Sequence, residues 1–324
     1  MKAIRCKTYG APSLLVMEEM ESLSPDVNEV VVQLKACGIN FPDTLIIQGL
    51  YQLKPKLPFT PGSDFAGVVK SVGEGVKHLA IGDAVFGIVP FGALAEEVVV
   101  SANTCFQKPD KMDFPVAASF MMAYGTSYHA LRDRAKIKAG ETLLVLGASG
   151  GVGLAAVELG KRMGATVIAA ASTDEKLELC SKYGADRTIN YSNEDLKSTL
   201  KKLTDSKGVD VIFDPVGGDY AETAFRGMAW EGRYLVVGFA SGTIPKIPLN
   251  LPLLKGASIV GVFWGGFALG NPEANMQNTM TLMQWYAEGK LSPHIHRIYE
   301  LKDSPKALEE MMYRKVMGKL VVQI

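Results

Sequence analysis

Residues 147–153 read Gly-Ala-Ser-Gly-Gly-Val-Gly and lie between the apolar run Leu143–Leu146 and a helical-period segment from Val152 to Met163. Glycines at these places let the backbone close on a pyrophosphate. The first turn of the following helix offers unpaired N–H groups and the positive end of its dipole. A glycine pattern alone says little, and a plain structural turn is the rival reading. A buried strand before the loop and an amphipathic helix after it supply the context that a dinucleotide fingerprint needs. Gly150, Gly151, Val152 and Gly153 are therefore candidate pyrophosphate contacts.

The next strand bears on which dinucleotide. A site for NAD ordinarily carries an acid at the end of the second strand, to accept from the ribose 2′-OH. This strand ends Ala169-Ala170-Ala171-Ser172, without an acid, and Lys176 follows one helical turn later. A lysine and a hydroxyl attract a 2′-phosphate that a carboxylate would repel, so NADPH is expected. The rival is that Lys176 is simply a solvated helix residue.

These residues need a sheet to hold them. From about Pro115 the pattern alternates. A helical segment covers 115–131. Strands are expected at 143–146, 166–171, 209–214, 233–237 and 258–263, and helices at 152–163, 173–183, 194–203, 220–228 and 276–288. Such alternation implies a doubly wound parallel sheet of the α/β class. Up to about Lys111 the chain is instead rich in β-branched runs punctuated by Gly and Pro, as in a twisted or barrel-like β domain. The closing stretch, 318–324, is again strand-like.

The 324 residues suit about two domains. Lys plus Arg and Asp plus Glu are 34 each, so the net charge is zero. That argues against a nucleic-acid binder working through bulk charge. With 48% hydrophobic and 21% charged residues, the composition is that of a globular chain. Cys6, Cys37, Cys105 and Cys180 form no CxxC pair, which argues against a disulfide scaffold and a cysteine-rich zinc site. The start MKAIRCKTYG lacks an apolar signal core, and the most apolar stretch is broken by Ser149, Glu158 and glycines. A soluble, cytoplasmic chain without a membrane span is expected.

Several spaced motifs then fall in order: Gly38-Ile39-Asn40-Phe41-Pro42-Asp43, Gly49-Leu50-Tyr51, the run Pro58 to Gly67, Gly125-Thr126-Ser127-Tyr128, Gly147 to Gly153, Asn190-Tyr191, Val237-Gly238-Phe239 and Gly318-Lys319. With them the chain resembles the quinone oxidoreductase, or zeta-crystallin-like, branch of the medium-chain dehydrogenases/reductases over essentially its whole length. The resemblance implies a GroES-like β-barrel catalytic domain from 1–120 and 265–324, and an NADPH-binding Rossmann domain from 121–264. In zinc alcohol dehydrogenases a Cys, a His and a Glu occupy the positions matched by Asn40, Ser63 and Asp64. Asn and Ser are poor zinc ligands, so a zinc-independent site with no metal is expected.

The resemblance also implies roles. Asn40, Asp43 and Tyr51 would be catalytic, lining the nicotinamide region. Thr126 would lie by the nicotinamide ribose or carboxamide. Ser172, Lys176 and Tyr191 would surround the 2′-phosphate. Gly238, Phe239, Phe263 and Trp264 would hold the nicotinamide side, and Lys319 would close the site from the tail. Each has a plainer reading: Asn40 and Asp43 as helix caps, Tyr51, Phe263 and Trp264 as core aromatics.

The implied activity is hydride transfer from NADPH to a quinone, without zinc. The alternatives are an enoyl or alkenal reductase acting on a C=C bond beside a carbonyl, and a mainly NADPH-binding protein like lens crystallins or RNA-binding relatives. The expected partners are a small quinone or α,β-unsaturated carbonyl and further copies of the chain, as a homodimer or homotetramer. Tyr51 or water would supply the proton.

Overall fold

The computed structural model covers residues 1–324. The chain forms two compact units, one from 1–122 with 292–324 and the other from 123–291. In chain order the strands are β1 (Lys2–Arg5), β2 (Val16–Glu19), β3 (Glu29–Ile39), β4 (Asp64–Val72), β5 (Ala84–Ile88), β6 (Glu97–Ser101) and β7 (Cys105–Gln107). There follow β8 (Thr142–Leu146), β9 (Thr166–Ala171), β10 (Arg187–Asn190), β11 (Val209–Asp214), β12 (Met228–Val236) and β13 (Ser258–Gly261), and finally β14 (Ile295–Glu300) and β15 (Lys319–Gln323).

The second unit holds a six-stranded parallel sheet in the order β10-β9-β8-β11-β12-β13. This is the Rossmann order, reversing between β8 and β11. The central strands are continuous apolar runs because helices cover both faces. Leu143, Leu144, Val145, Val211, Ile212 and Phe213 are all fully buried. Local signals start the helices. Thr173 caps helix Asp174–Lys182 by accepting from Lys176 N at 3.3 Å, and Asp195 caps helix Leu196–Leu203 by accepting from Ser198 N at 2.9 Å.

The first unit is GroES-like. Its largest sheet runs β14-β15-β3-β4-β5-β7, with β6 also on β3. One side of β3 changes partner along its length: residues 29–33 pair with β6 and residues 36–39 with β15. Bulges between Val31 and Val32 and between Leu34 and Ala36 bend β3. The bent sheet encloses Val32, Leu34, Phe65, Val85, Leu94 and Leu320.

Three expectations needed adjustment. The second crossing between units falls after Leu291, not at 265. Residues 265–291 belong with the second unit because Trp285 stacks edge-on against Tyr128 at 5.6 Å and lies under Arg162. The helical segment near 115–131 is broken into helix Phe114–Ala118, a short helical turn at 126–128 and wider turns on either side of that turn. β10 sits in a stretch without a strong strand pattern; pairing with β9 supplies what its four residues lack. No helix is long and apolar enough to cross a membrane.

Candidate functional site

In the first unit, sheet register gathers a polar cluster. β15 runs antiparallel to β3 with Leu320 opposite Ile39, so Lys319 arrives beside Asn40. β4 pairs Asp64 with Gly38. The Lys319 ammonium donates to Ile39 O at 3.0 Å and to Asn40 Oδ1, and lies 3.4 Å from Asp64 Oδ2. The Asn40 amide donates to Asp64 Oδ2 at 3.0 Å and to Ser63 Oγ at 3.3 Å. Met122 N donates to Asp64 Oδ1 at 3.2 Å. Asn40, Asp43, Ser63, Asp64 and Lys319 are all buried.

Asn40 is the N-cap of the short helix Phe41–Ile46, and Asp43 accepts from Asn40 N at 2.7 Å. The helix-cap reading is therefore correct for Asp43, and it coexists with the cluster. Ser63 also hydrogen-bonds Asp43. Burial is the main cause that pushes the Asp43 carboxyl up to about 7, against the Asn40 N–H and the Lys319 charge, which lower it. Burial likewise raises Asp64, opposed first by Lys319. The phenol of Tyr51, half-buried against the same core, is pushed up by burial and then by the Asp43 charge.

In the second unit the glycine loop leads from β8 into helix Gly151–Arg162, with Gly150 as its N-cap. A Cβ on Gly153 would lie 2.3 Å from Gly147 O and 3.0 Å from Ala148 Cα, so only glycine lets the helix start this close to the strand. Gly150 and Gly151 leave the helix start bare of side chains. The N–H groups of the first turn have no partner within the helix. Ser127 Oγ pins that turn by donating to Val152 O at 2.7 Å. At the end of β9, Lys176 Nζ donates to Ser172 Oγ at 3.2 Å, and burial lowers the pKa of Lys176. Tyr191 packs against Tyr220 with ring centroids 4.4 Å apart, and its N–H donates to Ala171 O at 3.2 Å, next to Ser172. Bare amides at a helix start and a lysine–hydroxyl pair just past the end of the neighbouring strand fit a dinucleotide carrying a 2′-phosphate.

The remaining candidates divide. Gly238 follows β12, its N–H donating to Asp214 O, and Phe239 lies over Gly217. Thr126 is buried in the helical turn that Gly125 precedes. Phe263 is 67% exposed and is not a core residue. Trp264 is buried, with its indole donating to Asn275 at 3.0 Å and lying over Gly125, where a Cβ would meet the ring at 2.7 Å. The Lys319 ammonium is engaged inside the cluster. Sequence reasoning reaches Ser63 and Asp64 only as positions matched to zinc ligands, although a charged residue, Asp64, opens a mostly apolar strand.

Two family models match the chain: the alcohol dehydrogenase GroES-like domain over 26–110 and the zinc-binding dehydrogenase over 151–285. The quinone oxidoreductase-like protein 2 of Bos taurus is 40% identical over 100% of this chain and 92% of its own. The chain belongs to the quinone oxidoreductase family of medium-chain dehydrogenases/reductases. The solved quinone oxidoreductase of Escherichia coli, complexed with NADPH, superposes with a TM-score of 0.93 at 32% identity, covering 100% of both chains. The CurK enoyl reductase does so with a TM-score of 0.90 at 27% identity, covering 99% of this chain and 98% of that one. In this chain the cluster around Asn40 presents amide, hydroxyl, carboxyl and ammonium groups. These donate hydrogen bonds and hold protons.

Proposed function

We propose that the protein is an NADPH-dependent quinone reductase that works without zinc. The cofactor is NADPH, which supplies the hydride when bound. The first-turn amides of Gly151, Val152 and Gly153 would hold its pyrophosphate, and Ser172 and Lys176 its 2′-phosphate, with Tyr191 beside them. Thr126, Gly238, Phe239 and the exposed Phe263 remain proposed contacts on the nicotinamide side, with Trp264 supporting the Gly125 turn from beneath.

The observation that carries the acceptor class is the buried Asn40–Asp64–Lys319 set. At the positions of zinc ligands in related enzymes stand an amide, a hydroxyl and a carboxylate. That carboxylate already faces an ammonium. Such a set can orient and protonate an oxygen but is a poor zinc site. Without a Lewis acid, hydride transfer suits acceptors whose product anion is stabilised by resonance, as in quinones.

An enoyl or alkenal reductase is the second reading, favoured by the likeness to the CurK enoyl reductase; its product, an enolate, is stabilised in the same way. The test is NADPH oxidation with 1,4-benzoquinone, 9,10-phenanthrenequinone, an alkenal and crotonyl-CoA. A preference for a quinone supports the first reading. A more than roughly tenfold higher kcat/KM, or about 1.4 kcal/mol, for the alkenal or the thioester replaces it with the second. Tight NADPH binding with no oxidation of any acceptor points to a binding role.

A homodimer is part of this proposal. What supports it is the free edge strand β13, which carries exposed Ile259 and follows exposed Leu249 and Leu253. Sedimentation of the protein as a monomer would remove it. A reducing compartment is also proposed, since all four cysteines are free and buried.

A further inference from the structure

Two carboxyl groups and one ammonium are buried together in the first unit. Asp43, Ser63, Asn40, Asp64 and Lys319 form one hydrogen-bonded chain. With every group ionised, the cluster would carry one uncompensated negative charge among buried side chains. Burying an unpaired carboxylate costs several kcal/mol, and the group neutralises by binding a proton instead. The two carboxyls do not compete equally for that role. Asp64 faces the ammonium directly and also accepts from Asn40 and Met122. Asp43 has the Asn40 N–H and the Ser63 hydroxyl, both neutral donors.

We infer that this cluster is a proton store, holding one proton on the Asp43 carboxyl at neutral pH and using it to recharge Tyr51 after turnover. The inference rests on the proposed reductase reading for the use of the proton, but not for its presence. In the step itself, hydride from NADPH brings two electrons to the acceptor and leaves an oxyanion. The Tyr51 O–H bond breaks as the product O–H bond forms. The Asp43 O–H bond then breaks as the Tyr51 O–H bond re-forms, and a solvent proton restores Asp43.

The charged and titratable groups near Asp43 come from four other elements. They are Cys37 on β3, Asp64 on β4, Lys319 on β15 and Tyr51 in the loop after helix Phe41–Ile46. Cys37 is held neutral by burial and by both carboxylates. The helix Ser304–Met312 presents apolar Ala307 and Leu308 to the same core as Ile46. Asp43 is pushed up to about 7, in accord with the charge count.

Infrared difference spectra of the unligated full chain, recorded across pH, read the store directly. The expected result is a protonated-carboxyl band that persists at neutral pH and is absent in Asp43→Asn. Asp64→Asn leaves Asp43 as the ammonium's only counter-charge, so the band's midpoint should fall by roughly 1–3 pH units. Lys319→Met should raise it. In the wild type, the alkaline limb of kcat should follow the same midpoint. Absence of the band at neutral pH, or a midpoint unmoved by Asp64→Asn, overturns the store. A normal band with no oxidation of any acceptor leaves the store standing and removes the reductase reading. A normal band with a pH-independent kcat overturns the relay through Tyr51.

Discussion

Lys176→Ala tests the nucleotide assignment most directly. The ammonium donates to Ser172 Oγ at 3.2 Å and is partly stripped of water, which lowers its pKa. A 2′-phosphate there would gain a charge-assisted hydrogen bond, worth about 1.5–3 kcal/mol. At 1.4 kcal/mol per tenfold, NADPH should bind roughly 10–150-fold more weakly to the variant. NADH lacks that phosphate and should bind unchanged. The loss should shrink at high salt, since a half-exposed pair is screened. Calorimetric titration with both nucleotides, at low and high salt, measures this. Lys182→Ala, at the far end of the same helix, serves as the control and should leave both affinities alone. Ser172→Asp should reverse the preference by accepting from a ribose 2′-OH and repelling phosphate. A fall of less than about threefold for NADPH, or below ~0.7 kcal/mol, would refute the assignment. So would an equal fall for NADH, which would mean that Lys176 supports the fold rather than the phosphate.

Gly153→Ala forces a methyl group to within 2.3 Å of Gly147 O; it should cost about 1–3 kcal/mol of stability and abolish NADPH binding, read by denaturation midpoint and titration. Tyr51→Phe should lower turnover by no more than the 10²–10⁴-fold of a positioned general acid, with NADPH affinity unchanged. A larger loss would mean that water cannot substitute for the phenol, and no loss would take Tyr51 out of the proton path. Because the folded Asp43 carboxyl is raised from 3.8 to about 7, the ionised form is disfavoured by folding. Its contribution is complete below about pH 4 and is lost as pH rises through 7, about 4 kcal/mol in all. Asp43→Asn should therefore gain stability relative to the wild type between those limits, and a pH-independent difference between the two would contradict the burial argument.

What could be read in the sequence was what is local. The glycine loop, the strand before it and the helix after it lie within one stretch of chain, so spacing alone reveals them. The missing acid at Ser172 and the lysine one turn later are local in the same way. The cluster in the first unit is not. Asn40, Asp64 and Lys319 meet because β3 pairs with β4 on one side and with β15 on the other. A shift of one residue in either register would turn the side chains to the opposite face, and the pairing that sets it joins residues far apart in the chain. The same nonlocality explains the misplaced end of the second unit. The packing of Trp285 against Tyr128 and Arg162 joins residues more than a hundred positions apart.

The register also fixes what Lys319 can reach. The resemblance implies a lysine that closes the site from the tail. β15 fixes its backbone beside Ile39 and Asn40, where its ammonium faces Asp64. Once that charge is committed, Asn40 is held by partners at both ends of its amide, and Asp43 is left as the carboxyl without a cation of its own. On the proposed zinc-free reading, the first unit has a proton to give and no metal with which to polarise an isolated carbonyl. An unconjugated ketone would need that polarisation before hydride arrives, because its alkoxide has nowhere to spread charge. A quinone or enal can accept hydride first and the proton second.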